Sequence, residues 1–202
     1  MNATEDLDFE QSWVAAAQRD PRAFERLYSH YFPRLYAYVA YRVGRAQDCE
    51  DLVADTFLKA VEGLERFEWR HAGSFAAWLF RIALNEVTDY HRRNRRAGEQ
   101  VPLEELPDLG ASSLAGGGPF QGPEDALLRK EMFAHLRGLL ATLSPRRQDI
   151  VTLRFYGGLR NSEIAEVLGL DERTVASHLC RGLRDLHQKY LDDPVPNMEK
   201  PQ

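Results

Sequence analysis

Side chains that can donate hydrogen bonds to phosphate or to base edges recur along residues 171–186. Arginine guanidinium groups bind phosphate and guanine in a bidentate geometry, and hydroxyl and imidazole groups donate to similar acceptors. An apolar stripe, Val175, Leu179, Leu183 and Leu186, repeats at helical spacing, so the stretch is predicted to be one amphipathic helix. The candidate nucleic-acid contacts on this helix are Arg173, Thr174, Ser177, His178, Arg181 and Arg184.

The preceding residues, 161–170, have the pattern that would position such a helix. Ala165 is small where two helices would cross closely, Gly169 falls at the turn, and Asp171 follows as an N-cap. This pattern predicts a helix-turn-helix over residues 161–186, the motif that places its second helix in the major groove. The alternative is an ordinary pair of amphipathic helices joined by a tight turn, as in small bundles. In either case the apolar contacts between the helices are predicted to come from Ile164, Leu168, Leu170 and Val175.

The composition of the 202 residues is that of an ordinary water-soluble protein of one large or two small domains. Cys49 and Cys180 lie far apart, with no CxxC pair or Cys/His cluster, so neither a disulfide framework nor a zinc site is expected. The first residues are acidic where a signal peptide would be basic, and no apolar run is long enough to cross a bilayer. We therefore expect a cytoplasmic protein without membrane insertion.

Charge is distributed unevenly along the chain, which explains how a formal net charge of −5 is compatible with nucleic-acid binding. The sequence HRRNRR at residues 91–96 holds four arginines, whereas residues 97–128 contain neither lysine nor arginine. This acidic stretch is rich in glycine, proline and serine and has no helical period. Residues 98–122 are therefore predicted to be a flexible acidic linker between two lobes.

Three helices are predicted before the linker. The first contains Phe24, Leu27, Tyr28, Tyr31 and Leu35, and Pro33 marks either a kink or the start of a new helix. The second runs over about 48–64 with Val53, Phe57, Ala60, Val61 and Leu64 inward and Asp48, Asp51 and Asp55 on the other face. The third begins near Ser74 and buries Phe75, Trp78, Leu79 and Ile82 before the arginines.

Polar residues on the last turns of the third helix form a second candidate contact. Asn85, Asp89, Arg92 and Arg96 share one side of this helix, which could lie along DNA. The alternative is a solvated face in which Asp89 pairs with Arg92 or Arg93.

The second lobe is predicted to be helical as well. A helix beginning near Pro123 would present Leu128, Met132, Leu136, Leu139, Leu140 and Leu143. Ser144 and Pro145 then cap a helix with Ile150, Val151, Leu153 and Phe155, which ends at Gly157 and Gly158. No strand pattern occurs, so the predicted fold is all-α. Its two small helical domains span residues 1–97 and 123–191, joined by the flexible acidic linker 98–122 and followed by a disordered tail, 192–202.

Two segments of this sequence resemble a known family. LSPRRQDIVTLRFYGGLRNSEIAEVLGLDERTVASHLCRGLRDL is similar to the fourth conserved region of bacterial RNA polymerase sigma factors of the sigma-70 family. DCEDLVADTFLKAV and FAAWLFRIALNEVTDYHRR are similar to their second region. Two lobes and a linker are the arrangement of the extracytoplasmic-function group. The resemblance implies a factor that binds core RNA polymerase, recognises the −10 and −35 promoter elements and directs transcription initiation, without itself being a catalyst.

The resemblance also assigns roles to residues of the first lobe. It implies that Asp51, Leu52 and Asp55 dock on the coiled coil of the β′ subunit. Ala54 stands where family members often have a glutamine, so one hydrogen bond of this surface is expected to be missing. The −10 element falls to the loop 66–73 and the following helix, with Asn85, Arg92, Arg93 and Arg96 as DNA contacts. Phe67 and Trp69 in the loop could stack on an unpaired base, or could equally cap the core.

In the second lobe the resemblance assigns the −35 element to the recognition helix. Family members usually carry lysine and arginine where this chain has Ala176 and His178, which removes positive charge from the DNA face. An anti-sigma factor is implied as a further partner, and no cofactor or metal is implied.

Two other functions remain open from the sequence. The first is a sigma-like mimic, or helix-turn-helix regulator, that binds a protein partner without initiating transcription. The second is an all-α enzyme using His71, His91 or His135, but these histidines lack the paired spacing of a metal or acid-base site.

Overall fold

The computed structural model describes residues 3–43, 45–97 and 134–192, and every regular element in these ranges is a helix. The all-α prediction is confirmed. The predicted linker 98–122, the start of the helix near Pro123 with Leu128 and Met132, and residues 193–202 lie outside the described residues. The helices are α1 (Ala3–Arg19), α2 (Phe24–Val43), α3 (Ala46–Gly63), α4 (Ser74–Ala97), α5 (134–141), α6 (Pro145–Phe155), α7 (Asn161–Leu168) and α8 (Glu172–Asp192).

Helix α1 is an element that the sequence patterns did not predict. Its residues Val14 and Ala17 are buried in the first lobe, which comprises α1–α4. A short 3-10 turn, Pro21–Ala23, leads into α2, and the carboxylate of Asp20 caps it by accepting from the backbone N–H of Arg22 at 3.0 Å. The first lobe therefore has four helices rather than three.

Helix α2 continues through Pro33 without a break, so this proline begins no new helix. Leu27, Tyr31 and Leu35 point into the core as predicted, whereas Tyr28 is partly exposed and lies beside the ring of Phe57 at 4.7 Å. The helix is long because its buried face extends well past the proline, to Val43.

Helices α3 and α4 pack side by side on α2. Val53, Phe57 and Ala60 of α3 are buried as predicted, but Val61 is 42% exposed, so its inward assignment is wrong. One residue advances about 100° around a helix, which takes Val61 off the face on which Ala60 lies. Helix α4 buries Phe75, Leu79, Phe80, Ala83 and Val87.

The second lobe, α5–α8, contains the predicted helix-turn-helix. Helix α7 ends at Gly169, whose φ of 63° is the left-handed conformation that glycine adopts without a Cβ clash. Asp171 then caps α8 by accepting from the backbone N–H of Thr174 at 2.8 Å. Ala165 is 7% exposed at the helix crossing, and Val175 is fully buried. The motif therefore has the turn, cap and close crossing that the spacing predicted.

Three details of the second lobe differ from expectation. Ser144 is the N-cap residue before Pro145, but its side chain makes no capping hydrogen bond. Phe155 is 57% exposed at the end of α6, and Leu183 lies partly exposed although it was placed in the apolar stripe. Leu183 is exposed because α6 packs instead on the neighbouring Gly182, which is buried.

The two lobes pack directly against each other and share one core. Ile150, Leu153 and Ile164 of the second lobe belong to the same buried cluster as Tyr38 and Phe80 of the first. Helix α7 lies on α4, and α6 contacts α2. The order of the helices was largely predictable, but this packing was not.

We predict that Ala165→Leu destabilises the helix-turn-helix by about 1–3 kcal/mol, because added methylenes overpack a close helix crossing. Ala176→Leu makes the same change at an exposed position of the same motif and should alter stability little. Thermal and urea unfolding followed by circular dichroism measure both effects. Equal stability of the two variants would show that the crossing is not tight.

Candidate nucleic-acid interface

The recognition helix α8 presents its candidate donors to solvent. The side chains of Arg173, Ser177, Arg181 and Arg184 are exposed on it, as are the intervening Ala176 and Cys180. The opposite face is fixed by the buried Val175 and by an ion pair between Arg147 of α6 and Asp185. The helix is therefore anchored on one side while its donor side is free of the protein interior.

Gly182 is a positioning residue that the sequence patterns did not reveal. A Cβ built there would lie 3.2 Å from Cγ2 of Val151, so the glycine lets α8 approach α6 closely. Glycine within a helix costs about 1 kcal/mol relative to alanine, and this cost is the signal that could have identified it.

Two predicted contacts, Thr174 and His178, are engaged with the protein itself. The Thr174 hydroxyl donates to Asp171 Oδ2 at 2.5 Å, and this bond is the main reason that the pKa of Asp171 lies below its ordinary value. His178 is half-buried, and its Nδ1 is enclosed without a hydrogen-bond partner in the described structure. Both side chains are therefore less available to a partner than the exposed Arg173 and Arg181.

The end of α4 forms the second basic surface. Asn85, Arg93 and Arg96 are exposed, while Arg92 forms an exposed ion pair with Asp89 at 2.9 Å. The pairing expected under the solvated-face alternative thus exists for Arg92. Such an exposed pair contributes only about 0–1 kcal/mol, so a phosphate could replace the carboxylate at little cost.

The histidine in the HRRNRR sequence adds no charge to this surface at neutral pH. Burial, together with the nearby Arg42 guanidinium, lowers the pKa of His91 below its ordinary value. The positive charge therefore comes from the arginines alone.

The 67–73 loop, which connects α3 and its terminal 3-10 turn to α4, carries Phe67 and Trp69. The Phe67 ring packs edge-on against Phe75, with centroids 5.6 Å apart, and lies 4.9 Å from the Trp78 ring. Trp69 is also partly buried against the core. In this conformation Phe67 caps the core, which was one of the two roles considered for it.

A cavity of about 270 Å³ lies between the 67–73 loop and the second lobe. Three guanidinium groups and two aromatic rings line it together with two carboxylates and one serine. These residues are Arg66, Arg70, Arg81, Phe67, Trp78, Glu68, Glu166 and Ser74. Its walls can therefore contact both an anionic group and the face of a planar ring.

The carboxylate surface of α3 is exposed, but not every residue assigned to it is. Asp51, Asp55 and Ala54 face solvent. Leu52 is 4% exposed and packs in the core of the first lobe, so its side chain cannot touch a partner in this conformation. Its assignment as a contact is corrected to a core position, because it lies about 100° from Asp51 around the helix.

The lobes are joined by a polar and aromatic contact, which we call the lobe contact. The rings of Tyr41 and Tyr156 stack with centroids 3.8 Å apart, and Arg42 forms an ion pair with Asp149. Arg34 donates to the backbone carbonyl of Gly157 at 2.8 Å. Burial raises the pKa of Tyr41 to about 12, so this phenol stays neutral at physiological pH.

Helix α7 also reaches the cavity and the 67–73 loop from the second lobe. Arg160 donates to the backbone carbonyl of Ala72 at 2.8 Å, and Arg81 of α4 donates to the backbone carbonyl of Glu166. Nε2 of His71 lies 2.8 Å from Oε1 of Glu166. The second lobe therefore covers part of the surface predicted to contact DNA through the first.

Within the part of the chain that the structure describes, no group of histidine, cysteine or carboxylate side chains could hold a metal ion. No described helix has the length and apolar character needed to span a membrane.

The fold and the two basic surfaces define a two-lobed helical protein with a DNA-reading helix-turn-helix. Comparison with family models agrees with this class. Residues 27–97 match sigma-70 region 2, and residues 134–186 match sigma-70 region 4. The chain belongs to the sigma-70 family of RNA polymerase sigma factors, in its extracytoplasmic-function group.

Several named relatives support this assignment. The extracytoplasmic-function RNA polymerase sigma factor BldN of Streptomyces coelicolor is 35% identical over 85% of this chain, which spans 61% of that relative's length. The RNA polymerase sigma factor CnrH of Cupriavidus metallidurans is 32% identical, covering 82% of this chain and 85% of CnrH. The RNA polymerase sigma-H factor of Pseudomonas aeruginosa is 30% identical, covering 85% and 89%.

Solved structures have the same fold. CnrH in complex with the cytosolic domain of CnrY aligns with a TM-score of 0.65 at 24% identity, over 90% of this chain and 96% of that one. The sigma factor RpoE in complex with the anti-sigma factor NepR from Bartonella quintana aligns with a TM-score of 0.61 at 22% identity, over 85% and 98%.

We predict that Tyr156→Ala weakens the lobe contact and shifts its equilibrium roughly two- to tenfold toward separated lobes, the usual range for a lost aromatic pair. Small-angle X-ray scattering should show a larger radius of gyration. Phe155→Ala is the matched control, because this neighbouring aromatic side chain is 57% exposed. Equal scattering from both variants would show that the stacked tyrosines do not hold the lobes together.

Proposed function

We propose that this sigma factor binds core RNA polymerase, recognises the −10 and −35 elements of a promoter and directs transcription initiation. The observation that carries the proposal is the exposed donor face of α8, held by a complete helix-turn-helix in a chain of the sigma-70 family. Its relatives are named as RNA polymerase sigma factors. On this proposal the protein acts in the cytoplasm and is not itself a catalyst.

Core polymerase would dock on α3. Asp51 and Asp55 are one helical turn apart, so their exposed carboxylates can meet basic or amide groups of the β′ coiled coil together. Leu52 would support this surface from beneath rather than touch the partner. Ala54 supplies no hydrogen bond, which leaves the two carboxylates as the main polar contacts.

The −35 element would be read by α8 in the major groove. Arg173, Arg181 and Arg184 are the charged donors, and Ser177 is a neutral one. The hydroxyl proton of Thr174 already serves the cap, so it is not free to donate to DNA, and the half-buried His178 would contribute less than the exposed arginines.

The −10 element would be held by α4 and the 67–73 loop. Asn85, Arg92, Arg93 and Arg96 would contact the DNA backbone or bases along α4. The cavity beside the loop offers arginines for phosphate and Trp78 for stacking, the combination used to hold unpaired bases.

The lobe contact has to open on this proposal. Elements named −10 and −35 are centred about 25 base pairs apart, roughly 80 Å along B-form DNA at about 3.4 Å per base pair. Helices α4 and α7 are packed on each other, so they cannot reach both elements at once. The domain limits proposed from the sequence, 1–97 and 123–191, allow the separation because the intervening 98–122 would span the gap.

An anti-sigma factor is proposed as the partner that holds the protein inactive. One structure with this fold is a complex of that kind, RpoE with the anti-sigma factor NepR, and another holds CnrH with the cytosolic domain of CnrY. With either partner, an anti-sigma factor or core polymerase, the activity of the protein would depend on whether its lobes are joined or separated.

We predict a division of labour between the two lobes. Arg181→Ala should impair transcription from promoters that depend on the −35 element while leaving binding to core polymerase intact. Asp51→Ala should weaken core binding instead. Run-off transcription and a fluorescence titration with core polymerase measure the two properties. If Arg181 contacts a phosphate, its loss should also lower the salt slope of promoter binding by about 1.

The substitutions Arg22→Ala and Glu25→Ala serve as controls, because each removes an exposed charge away from these surfaces. Equal loss of core binding in Arg181→Ala and Asp51→Ala would contradict the division of labour. Absence of polymerase-dependent promoter binding by the unaltered protein would favour the sigma-like mimic instead.

We further predict that Ala176→Lys tightens promoter binding by the holoenzyme. An added cation on the donor face should release about one more counterion and steepen the salt dependence by about 0.9 in log–log slope. Gel-shift titrations at several salt concentrations measure this. Ala141→Lys adds the same charge at an exposed position of α5 and should leave the slope unchanged. A slope that is unchanged in Ala176→Lys would place this position outside the DNA contact.

A further inference from the structure

Helix α1 precedes both family matches, which cover residues 27–97 and 134–186. It nevertheless contacts both ends of the 67–73 loop. Two polar side chains of α1 make these contacts. Gln18 holds the end where the chain leaves the 3-10 turn, and Glu10 holds the end where α4 begins. Neither residue forms part of the apolar core, so packing alone does not account for them.

The Gln18 contact fixes the start of the loop. Its side-chain amide donates to the backbone carbonyl of Leu64 at 3.0 Å and to that of Phe67 at 2.8 Å. An amide nitrogen has two hydrogens, so both are used. Leu64 begins the 3-10 turn and Phe67 is the first loop residue, so this one side chain ties the turn and the start of the loop to α1.

The Glu10 contact fixes the end of the loop. Its carboxylate is buried, with the residue 3% exposed, and accepts from the backbone N–H of Gly73 at 2.9 Å and of Ala76 at 3.3 Å. These are amides at the first turn of α4, which lack partners within the helix. A negative charge is also favourable at a helix N-terminus. The hydroxyl of Tyr31 donates to the same carboxylate.

The phenol of Tyr31 stays protonated and can therefore donate this hydrogen bond to Glu10. Burial first, and then the charge of Glu10, raise the pKa of the Tyr31 phenol well above its ordinary value. Three donors from α2, the loop and α4 thus satisfy one carboxylate of α1.

The second lobe holds the same loop from the other side. Arg160 donates to the carbonyl of Ala72, and a Cβ built on Gly73 would lie 2.0 Å from Oε1 of Glu163. Separation of the lobes removes this support, whereas the contacts from Glu10 and Gln18 lie wholly within the first lobe. Once the lobes part, these contacts from α1 still hold both ends of the loop.

We propose that α1 is a positioning element for −10 recognition, in which Gln18 and Glu10 fix the 67–73 loop in its binding shape after the second lobe has moved away. The inference rests on the proposed function, because it assumes that this loop receives −10 DNA. Neither residue touches the nucleic acid. Their effect is preorganisation: a loop already held in place loses less conformational freedom when the strand binds.

Gln18 is the better residue to test, because it is exposed apart from its two bonds and its loss leaves the core intact. In the full chain assembled with core polymerase, Gln18→Ala should weaken binding of a single-stranded −10 oligonucleotide on the order of tenfold. Gln18→Glu keeps the shape but supplies no donor, so it should weaken binding at least as much. Gln11→Ala is the matched control, an exposed glutamine of the same helix without these bonds.

Four further measurements separate positioning from a general loss of structure. Core binding, binding of a −35 duplex and the melting temperature should stay unchanged in Gln18→Ala, while hydrogen exchange of residues 67–73 increases. Glu10→Gln replaces one acceptor oxygen by a donor and should increase exchange at Gly73 and Ala76 in particular.

The outcomes distinguish this inference from the function on which it rests. If the unaltered holoenzyme fails to bind the −10 oligonucleotide, the proposed function of the loop is wrong. If it binds and Gln18→Ala binds equally well, the positioning role of α1 is overturned. Parallel losses of core, −35 and −10 binding in Gln18→Ala would also overturn it, because they would indicate a purely structural role.

Discussion

The rest of the structure depends on helix α4, because the sequence of this one helix must meet three structural requirements. Its first half must fill the core of the first lobe, with Phe75 and Leu79 fully buried. Phe80, also fully buried, meets the second lobe, since a Cβ on Gly157 would lie 2.9 Å from its ring. Its last turns must remain in solvent with Arg93 and Arg96. The buried half therefore fixes the direction in which the exposed basic half projects.

The features that the sequence predicted well are those determined by short-range geometry. The helix-turn-helix was predictable because Ala165, Gly169 and Asp171 act on neighbours within a few residues, and each has a residue type suited to one backbone position. Errors arose where one residue of helical phase decides burial, as for Leu52 and Val61. Helix α1 was missed because its bonds, from Gln18 to Phe67 and from Glu10 to Gly73, join residues far apart in sequence.

The lobe contact was not predicted either, because its arginines bind groups that are far away in the sequence. The sequence assigned DNA contacts to other arginines and no role to Arg34, Arg42 or Arg137. In the structure Arg34 and Arg137 donate to backbone carbonyls across the lobes, and Arg42 pairs with Asp149. Guanidinium groups suit both tasks, because five N–H donors serve a carbonyl or a phosphate equally well. Only the tertiary structure separates the arginines that join the lobes from those, such as Arg181, that face solvent.

The joined lobes also impose an order on the proposed function. Asp51 and Asp55 of α3, and the donor face of α8, are exposed while the lobes are together. The cavity beside the 67–73 loop is instead bordered by Glu166 of the second lobe, whose backbone carbonyl accepts from Arg81. Polymerase could therefore dock on α3 before the lobes part, whereas separation of the lobes would remove Glu166 from the border of the cavity. Binding energy from the first docking would then offset the cost of breaking the lobe contact, which couples promoter opening to the presence of polymerase.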